Sequence, residues 1–236
     1  DLLKFPLYTE ILKFNFNYYY FLIMSEILPP SQEQYLLKLR TENDPLILEM
    51  EEYAKEYKIP ILSWQSVEFL EQMIRISKPK RVLEIGTAIA YSTIRIARNL
   101  KKKAVVHTIE KSEDNIEKAR EYIQKSGLEE KISLFYGDAL SIVPQLKKKY
   151  DFIFLDADKE DYKRLFDYSL VLLKKGGIVF IDNLLWHGYA ASKRVPQNFK
   201  ASTKHIRDFN LVFASQENLK TSILPIGDGI GVGVKC

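Results

Sequence analysis

Polar side chains follow two apolar runs of this sequence at the points where the runs end. "FIFLD" ends at Asp156, and "IVFID" ends at Asp182, directly before Asn183. Two carboxylates and an amide carbonyl are hard oxygen ligands, which suit Mg²⁺ or a similar divalent cation such as Mn²⁺ or Ca²⁺. Asp156, Asp182 and Asn183 are therefore candidate cation ligands, if the fold places the two runs side by side.

A candidate base lies three residues beyond Asp156, at Lys159. A lysine beside a bound cation gives up its proton more readily, so Lys159 could act as a general base. The alternative is a solvated lysine in a charged helix start, which is the commoner situation. The spacing "DADKED" also resembles an EF-hand loop, but its sixth position is Asp161 instead of Gly and a strand precedes it, which excludes that interpretation.

A second group of residues could bind a nucleoside. In "VLEIGTAIAYS" a strand-forming run meets Gly86 and then a helical stretch that begins near Ser92, and Glu110 ends the next apolar run. An acid about 20 residues beyond such a turn can accept hydrogen bonds from both ribose hydroxyls. The alternative for Glu110 is a surface glutamate in the charged segment "IEKSED".

The turn at Gly86 is poorly suited to a dinucleotide. The second and third glycine positions of a dinucleotide fingerprint hold Ala88 and Tyr91, whose side chains keep the backbone from a pyrophosphate. An NAD oxidoreductase is therefore disfavoured. A nucleoside ligand without a pyrophosphate, such as S-adenosylmethionine, removes this requirement, and its amino-acid end would meet the turn and the Ser92 hydroxyl.

The elements that must position these residues are predicted to form a doubly wound α/β fold. From residue 80, the apolar runs "RVLEI", "AVVHTI", "KISLFY", "DFIFLD" and "GIVFID" alternate with helical stretches, among them "SEDNIEKAREYIQKSG" and "KEDYKRLFDYSLVLLKKGG". This alternation predicts parallel strands joined by helical crossovers. The C-terminal "TSILPIGDGIGVGVK" predicts an antiparallel hairpin at one edge of the sheet. Residues 31–77 are predicted to be helical, with Asp44 and Ser63 as candidate N-caps.

Ligands of open α/β sheets bind at the carboxyl ends of the strands. The residues at or near the five predicted ends should therefore converge: Glu84, Gly86, Glu110, Asp138, Ala139, Asp156, Asp182 and Asn183. Isolated acids after strands are also common helix N-caps, which is the alternative for Asp138 and Asp156.

Seven short segments follow one another in this order: "LEIGT", "AYS", "IE", "YGDA", "DADK", "DNLLWHG" and "PIGDG". Together they resemble the motifs of one family, the metal-dependent S-adenosylmethionine O-methyltransferases of the catechol and caffeoyl-CoA type. The resemblance runs from about Leu28 to Lys235. It is strongest to the small bacterial members that methylate 5-hydroxyuridine in tRNA. It implies a seven-stranded, mostly parallel Rossmann-like sheet.

The resemblance also implies roles for individual residues. Lys159 would be the catalytic proton acceptor, and Asp156 would serve both the cation and the reaction. The residues implied in cofactor binding are Leu62, Glu84, Gly86, Ser92, Glu110, Asp138, Ala139 and Asp156. Members of the family usually have Gly where this chain has Ala90, and we expect the added methyl group to narrow the turn slightly and to leave binding intact.

The acceptor is less well defined, with a preference for tRNA. Basic residues between Trp186 and Arg207 could contact tRNA phosphates, or could form a solvated helix face; they are Lys193, Arg194, Lys200, Lys204 and Arg207. A catechol or an acyl-CoA ester fits the same chemistry. Trp64, Trp186 and Tyr189 could stack on either kind of ring or could simply pack. A non-catalytic S-adenosylmethionine-binding module would have no use for the acids and the lysine together.

Charge, cysteine content and the N-terminal segment bear on partners, compartment and domain boundaries. The net charge of +4 permits an anionic partner without requiring one, and the single cysteine, Cys236, excludes an internal disulfide and favours the cytoplasm. No membrane span is expected, because charged residues interrupt the apolar N-terminal segment. Residues 1–23 are predicted to be an upstream extension before a natural start at Met24, or else a helix that packs on a partner subunit. Residues 24–236 are predicted to form one methyltransferase domain, which the resemblance suggests is a homodimer.

Overall fold

The computed structural model describes residues 27–236. The predictions for residues 1–23 and for a start at Met24 lie outside the described residues. Within residues 27–236, no helix has the length and apolar character needed to cross a membrane.

In the described part of the chain, three helices precede the first strand: α1 (Pro30–Leu39), α2 (Pro45–Tyr57) and α3 (Trp64–Ser77). The Asp44 side chain accepts hydrogen bonds from the N–H groups of Leu46 and Ile47 at 2.9 and 3.2 Å, and Pro45 occupies the first helical position. The Ser63 hydroxyl accepts from the N–H of Ser66 at 3.2 Å. Both predicted N-caps are confirmed, because each side chain satisfies free donors of the first turn.

Seven strands form one sheet in the order β3-β2-β1-β4-β5-β7-β6. The first five strands are parallel, and β7 is antiparallel to both β5 and β6, as the C-terminal hairpin predicted. The strands are β1 (Arg81–Ile85), β2 (Val105–Glu110), β3 (Ile132–Tyr136), β4 (Tyr150–Leu155), β5 (Leu173–Ile181), β6 (Leu219–Leu224) and β7 (Ile230–Lys235).

Helices connect the parallel strands, as the alternating pattern predicted. They are α4 (Tyr91–Asn99), α5 (Glu113–Ser126), α6 (Ala139–Ile142) and α7 (Tyr162–Leu172), and α8 (Lys200–Ala214) precedes the hairpin. The helical stretch predicted through Gly177 is too long, since α7 ends at Leu172. Leu173 already pairs with Tyr150 of β4, and Lys174 Nζ donates to Asp151 at 2.6 Å, so these residues belong to the sheet.

The hydrophobic core lies on both faces of the central strands. Val82, Phe152 and Phe180 face a cluster that includes residues of α2, α3 and α4, whereas Leu83 and Ile153 face a cluster built with α7 and α8. Because these strands are buried on both faces, their sequences are continuously apolar. Because side chains alternate along a strand, Glu84 points to the same face as Val82, into the interior beside α4.

Candidate active site

A cavity of about 780 Å³ opens at the carboxyl ends of the parallel strands. Its volume lies in the range of small-molecule and cofactor sites. Most of the predicted site residues line it: Gly86, Glu110, Asp138, Ala139, Asp156, Lys159, Asp182 and Asn183. The predicted convergence of strand ends is therefore observed. Leu62, Glu84 and Ser92 lie outside the lining.

The single glycine of the first turn is required by a close approach. Gly86 has a φ of +102°, and a Cβ built on it would lie 1.7 Å from the carbonyl oxygen of Asp156. The N–H of Asp156 donates to the carbonyl of Ile85 at 2.9 Å, which holds the ends of β1 and β4 together. Gly86 thus permits the backbone contact that places the Asp156 segment beside the turn.

Ala88 and Ala90 have left-handed backbones, with φ of 45° and 69°. Ala90 is fully buried at the N-cap position of α4. Residues with a Cβ are disfavoured in the left-handed region of backbone conformation. An alanine at position 90 therefore strains the backbone, which is a larger effect than the expected narrowing of the turn.

Glu110 closes the turn from the end of β2. Its Oε2 accepts from the N–H of Ala88 at 2.7 Å, and its Oε1 accepts from the N–H groups of Lys111 and Ser112 at 2.9 and 2.8 Å. The carboxylate has lone pairs left for ligand hydroxyls. It also places a negative charge beside the turn N–H that a pyrophosphate would need, which strengthens the argument against a dinucleotide.

Glu84 and Ser92 form a buried network behind the turn. The Glu84 carboxylate is fully buried and accepts hydrogen bonds from the hydroxyls of Ser92 (2.6 Å), Thr93 and Thr108 (2.7 Å). Burial raises the pKa of Glu84 to about 7, although the three hydroxyls oppose the shift. The side chains of Glu84 and Ser92 thus stabilise the strand–turn–helix unit from the interior, and Leu62 is likewise buried in the core.

Asp138 lies at the end of β3. Its Oδ1 accepts from the N–H of Leu140 at 3.1 Å, so it does cap α6, and it lines the cavity at the same time. Asp156 does not cap a helix of the described chain: its Oδ1 accepts from Lys159 Nζ at 3.2 Å instead.

Two of the three predicted cation ligands, Asp156 and Asn183, contact the Lys159 amine. Lys159 Nζ lies 2.7 Å from Asn183 Oδ1, 3.2 Å from Asp156 Oδ1 and 2.7 Å from the Tyr162 hydroxyl oxygen. The Tyr162 hydroxyl in turn donates to the carbonyl of Asp182 at 3.0 Å. Burial, followed by the charge of Asp156, raises the pKa of Tyr162, which keeps its hydroxyl neutral.

Asp182 supports the presence of a cation at this position. It is 5% exposed, and its Oδ1 is buried without a hydrogen-bond partner among residues 27–236. Burial, and next the charge of Asp156, raises the pKa of Asp182 well above its usual range. A divalent ion would neutralise the repulsion between the two carboxylates and pair the buried Oδ1, so the residues present fit one.

The candidate cation site contains few protein ligands. Within the described part of the chain, no cluster of three or more His, Cys, Asp or Glu side chains could hold a metal. Two carboxylates and one amide oxygen would therefore leave positions for water and for an oxygen-bearing acceptor, as hard cations in catalytic sites require.

Several neighbours of the site were not assigned roles from the sequence. Tyr162 contacts the lysine, and Asp228, in the turn between β6 and β7, accepts hydrogen bonds from Asn183 and His187. His187 lines the cavity beside Trp186, which the sequence had indicated as a stacking candidate. The "PIGDG" segment was noted as a motif, but nothing in its spacing indicated which residue Asp228 contacts.

Comparisons with known proteins agree with this geometry. A family model described as O-methyltransferase matches residues 40–236. A caffeoyl-CoA O-methyltransferase of Populus kitakamiensis is 33% identical over 170 residues, which cover 69% of this chain and 72% of that protein. A crystal structure from Staphylococcus aureus, assigned as a caffeoyl-CoA O-methyltransferase, has a TM-score of 0.81 at 31% identity and covers 87% of this chain and 99% of its own.

A further solved structure carries the methyl donor. The O-methyltransferase TomG of Streptomyces achromogenes, in complex with S-adenosylmethionine, has a TM-score of 0.77 at 25% identity and covers 87% of this chain and 96% of its own. The chain therefore belongs to the O-methyltransferase family, and it is an S-adenosylmethionine-dependent O-methyltransferase.

Proposed function

We propose that the enzyme methylates one hydroxyl of an acceptor that carries a second oxygen beside it, and that both oxygens share a divalent cation with Asp156, Asp182 and Asn183. The observation that supports this most directly is the buried Oδ1 of Asp182, which has no partner in the described part of the chain and lies in the same cavity as Asp156 and Asn183. When bound, a cation of this kind lowers the pKa of a coordinated hydroxyl and neutralises the two carboxylates.

The cofactor would lie across the ends of β1, β2 and β3. Glu110 has lone pairs available for the ribose hydroxyls, because its three backbone donors leave part of the carboxylate free. Asp138 and Ala139 would line the adenine end, and the turn at Gly86 would face the methionine end. Ser92 and Glu84 support that turn from behind, and we propose that their effect on the cofactor is indirect.

Lys159 would remove the acceptor proton. Its Nζ lies beside the oxygens of Asp156 and Asn183, so a hydroxyl held there would be within reach of the amine. The hydrogen bond to the Tyr162 hydroxyl holds the amine in place. The deprotonated oxygen attacks the methyl carbon, and the electrons of the carbon–sulfur bond return to sulfur as the thioether leaves. Alignment of the two reactants supplies much of the acceleration.

A small aromatic diol is the acceptor class that the site supports best. The rings of Trp186 and His187 line the cavity. They pack with the rings of Tyr189 and Phe199, at centroid separations between 4.9 and 6.1 Å. A planar ring with two adjacent hydroxyls could stack here while its oxygens reach Asp182. The caffeoyl-CoA methyltransferases among the relatives are named for an acceptor of this class.

5-Hydroxyuridine in tRNA is the second candidate acceptor. Lys193, Arg194 and Lys200 are exposed in the segment that follows Trp186 and could contact phosphates. Two other basic residues are already engaged, since Arg207 donates to the carbonyls of Tyr189 and Ala190 and Lys204 pairs with Asp208. This engagement leaves fewer free cations for tRNA than the sequence indicated.

Incubation with methyl-labelled S-adenosylmethionine and Mg²⁺ would decide between the acceptors. Parallel reactions would contain catechol, caffeoyl-CoA, or tRNA that carries 5-hydroxyuridine. We expect label in a small diol, and label in tRNA alone would replace the first acceptor with the second. A Lys193→Ala/Lys200→Ala variant serves as the control, because it should slow only the reaction with a phosphate-bearing acceptor.

We also propose a homodimer in the cytoplasm. Helix α1 buries none of its residues against the rest of the described chain, and it exposes Tyr35, Leu37 and Leu39 at 63%, 51% and 58%. A second copy of the chain would cover these side chains. Light scattering of the purified protein should give twice the mass of the chain, and a concentration-independent monomer would contradict the proposal.

A further inference from the structure

Asp228 lies in the turn between β6 and β7, behind the candidate cation site. It is 6% exposed, and both of its carboxylate oxygens accept a hydrogen bond. Oδ2 accepts from the Asn183 side-chain amide at 3.1 Å, and Oδ1 accepts from the backbone N–H of His187 at 2.5 Å. A carboxylate has an acceptor oxygen on each side, whereas an amide of the same size has an oxygen on one side and an NH₂ group on the other.

The hydrogen bond from Asn183 determines which end of its amide faces the cavity. The NH₂ group points to Asp228, so the carbonyl oxygen points to Lys159, where it lies 2.7 Å from Nζ. A flipped amide would present two N–H groups to a cation, and an N–H group cannot act as a ligand. The polarity of the residue behind Asn183 therefore decides whether Asn183 offers an oxygen.

The segment that carries Asn183 needs such support because its backbone is unusual. Asn183, Trp186 and His187 all have left-handed φ values, of 63°, 47° and 54°. Non-glycine residues hold this conformation only when their surroundings enforce it. Backbone bonds from Leu184 and Leu185 to the carbonyls of Gly229 and Asp228, both 2.9 Å, attach the same segment to the β6–β7 turn.

The β6–β7 turn is shaped to approach this segment closely. Gly229 has a φ of +90°, and a Cβ built on it would lie 2.5 Å from the backbone nitrogen of Leu185. Only glycine permits this approach, so the turn brings the Asp228 carboxylate within hydrogen-bonding distance of Asn183.

We infer that Asp228 is a positioning residue: its carboxylate orients the Asn183 amide so that the carbonyl oxygen faces the cation and Lys159. This inference rests on the proposed cation site. It predicts that Asp228 acts on cation affinity through Asn183 and has no direct contact with the reacting atoms. Outer-shell partners of metal ligands typically contribute about 10- to 100-fold in metal affinity.

The test is Mn²⁺ binding, measured by calorimetry on the purified full chain in the absence of acceptor. In Asp228→Asn an NH₂ group replaces one of the two carboxylate oxygens, so either Asn183 or the N–H of His187 meets a donor in place of its acceptor. We expect the Kd for Mn²⁺ to rise about 10- to 100-fold, while the Kd for S-adenosylmethionine stays unchanged. Asp167→Asn, on the exposed face of α7, is the matched control and should bind Mn²⁺ like the wild type.

A double variant tests whether Mn²⁺ affinity returns when a hydrogen bond between positions 183 and 228 is restored. In Asn183→Asp/Asp228→Asn, the new amide at position 228 can donate to the new carboxylate at position 183 and accept from the N–H of His187. The net charge is that of the wild type. We expect Mn²⁺ affinity to recover toward the wild-type value.

Two kinds of result would count against these statements. Equal affinity of wild type and Asp228→Asn, or a double variant no better than Asp228→Asn, would overturn the inference. Failure of the wild type to bind Mn²⁺ at all would instead overturn the proposed cation site, and the inference with it.

Discussion

The buried carboxylate of Glu84 yields a prediction about stability and pH. Glu84 is fully buried and surrounded by hydroxyl groups, and Glu84→Gln replaces its charge with a neutral amide of the same shape. The amide can be accommodated, because the hydroxyls of Ser92, Thr93 and Thr108 can either donate or accept. The substitution therefore removes one titrating group and leaves the packing intact.

The magnitude follows from the pKa. Burial raises the pKa of Glu84 from 4.5 to about 7 in the folded protein. Between these values the folded state holds a proton that the unfolded state has lost, so stability falls as pH rises through this interval and then levels off. A tenfold change in proton affinity corresponds to about 1.4 kcal/mol, so the wild type loses roughly 3 kcal/mol of unfolding free energy between about pH 4.5 and pH 8 through this group.

Urea unfolding measures how the stability of wild type and Glu84→Gln depends on pH. The titrations are done in EDTA at several pH values from about 4.5 to 8. We expect the variant to gain roughly 3 kcal/mol relative to the wild type as pH rises, because only the wild type must ionise a buried acid. Titration of other groups cancels in the comparison. The exposed Glu130→Gln serves as control and should track the wild type. A difference between Glu84→Gln and wild type that does not change with pH would refute the reasoning.

Three further predictions test other parts of the site. Asp182→Asn should abolish methyl transfer. It should nevertheless raise the unfolding free energy in EDTA by about 1–3 kcal/mol, because a neutral amide replaces an acid whose charged form is disfavoured by burial and by Asp156. A loss of stability in thermal melts would contradict this. Glu110→Gln should weaken S-adenosylmethionine binding by roughly 1.5–3 kcal/mol in calorimetry, because the amide has one oxygen for three backbone donors. An unchanged Kd for S-adenosylmethionine would exclude the proposed role of Glu110. Ala90→Gly should change the unfolding free energy by less than about 1 kcal/mol in urea titrations. The substitution relieves about 1–2 kcal/mol of left-handed backbone strain, but it also removes a buried methyl group and makes the unfolded chain more flexible. A larger gain or loss would show that the turn is set by other contacts.

The strand ends could be predicted because parallel strands must deliver their carboxyl ends to one edge. Asp182 and Asn183 are adjacent in sequence and far from Asp156, and yet the order β1-β4-β5 places their strands side by side. The apolar runs and the helical spacing between them predicted that the strand ends share one edge. The strand order, which makes β4 and β5 neighbours, comes from the structure. The N-caps Asp44 and Ser63 could be predicted because capping is a local interaction.

Other features depend on contacts that no local pattern reports. Glu84 was grouped with the strand-end residues, but its carboxylate accepts hydrogen bonds from hydroxyls of α4 and β2 in the interior, and these partners are distant in sequence. Asp228 approaches Asn183 only because β7 pairs with β5, a long-range antiparallel contact. The strain at Ala90 is a backbone property, so the sequence indicated an added methyl group and did not reveal the left-handed φ.

The most direct test of the proposed chemistry is methyl transfer to catechol while Mg²⁺ is titrated into enzyme that was first freed of metal with EDTA. We expect no transfer in EDTA, a saturable rise in rate with Mg²⁺ for the wild type, and no rise for Asp182→Asn. Wild-type transfer at full rate in excess EDTA would contradict the assignment of Asp156, Asp182 and Asn183 to a cation.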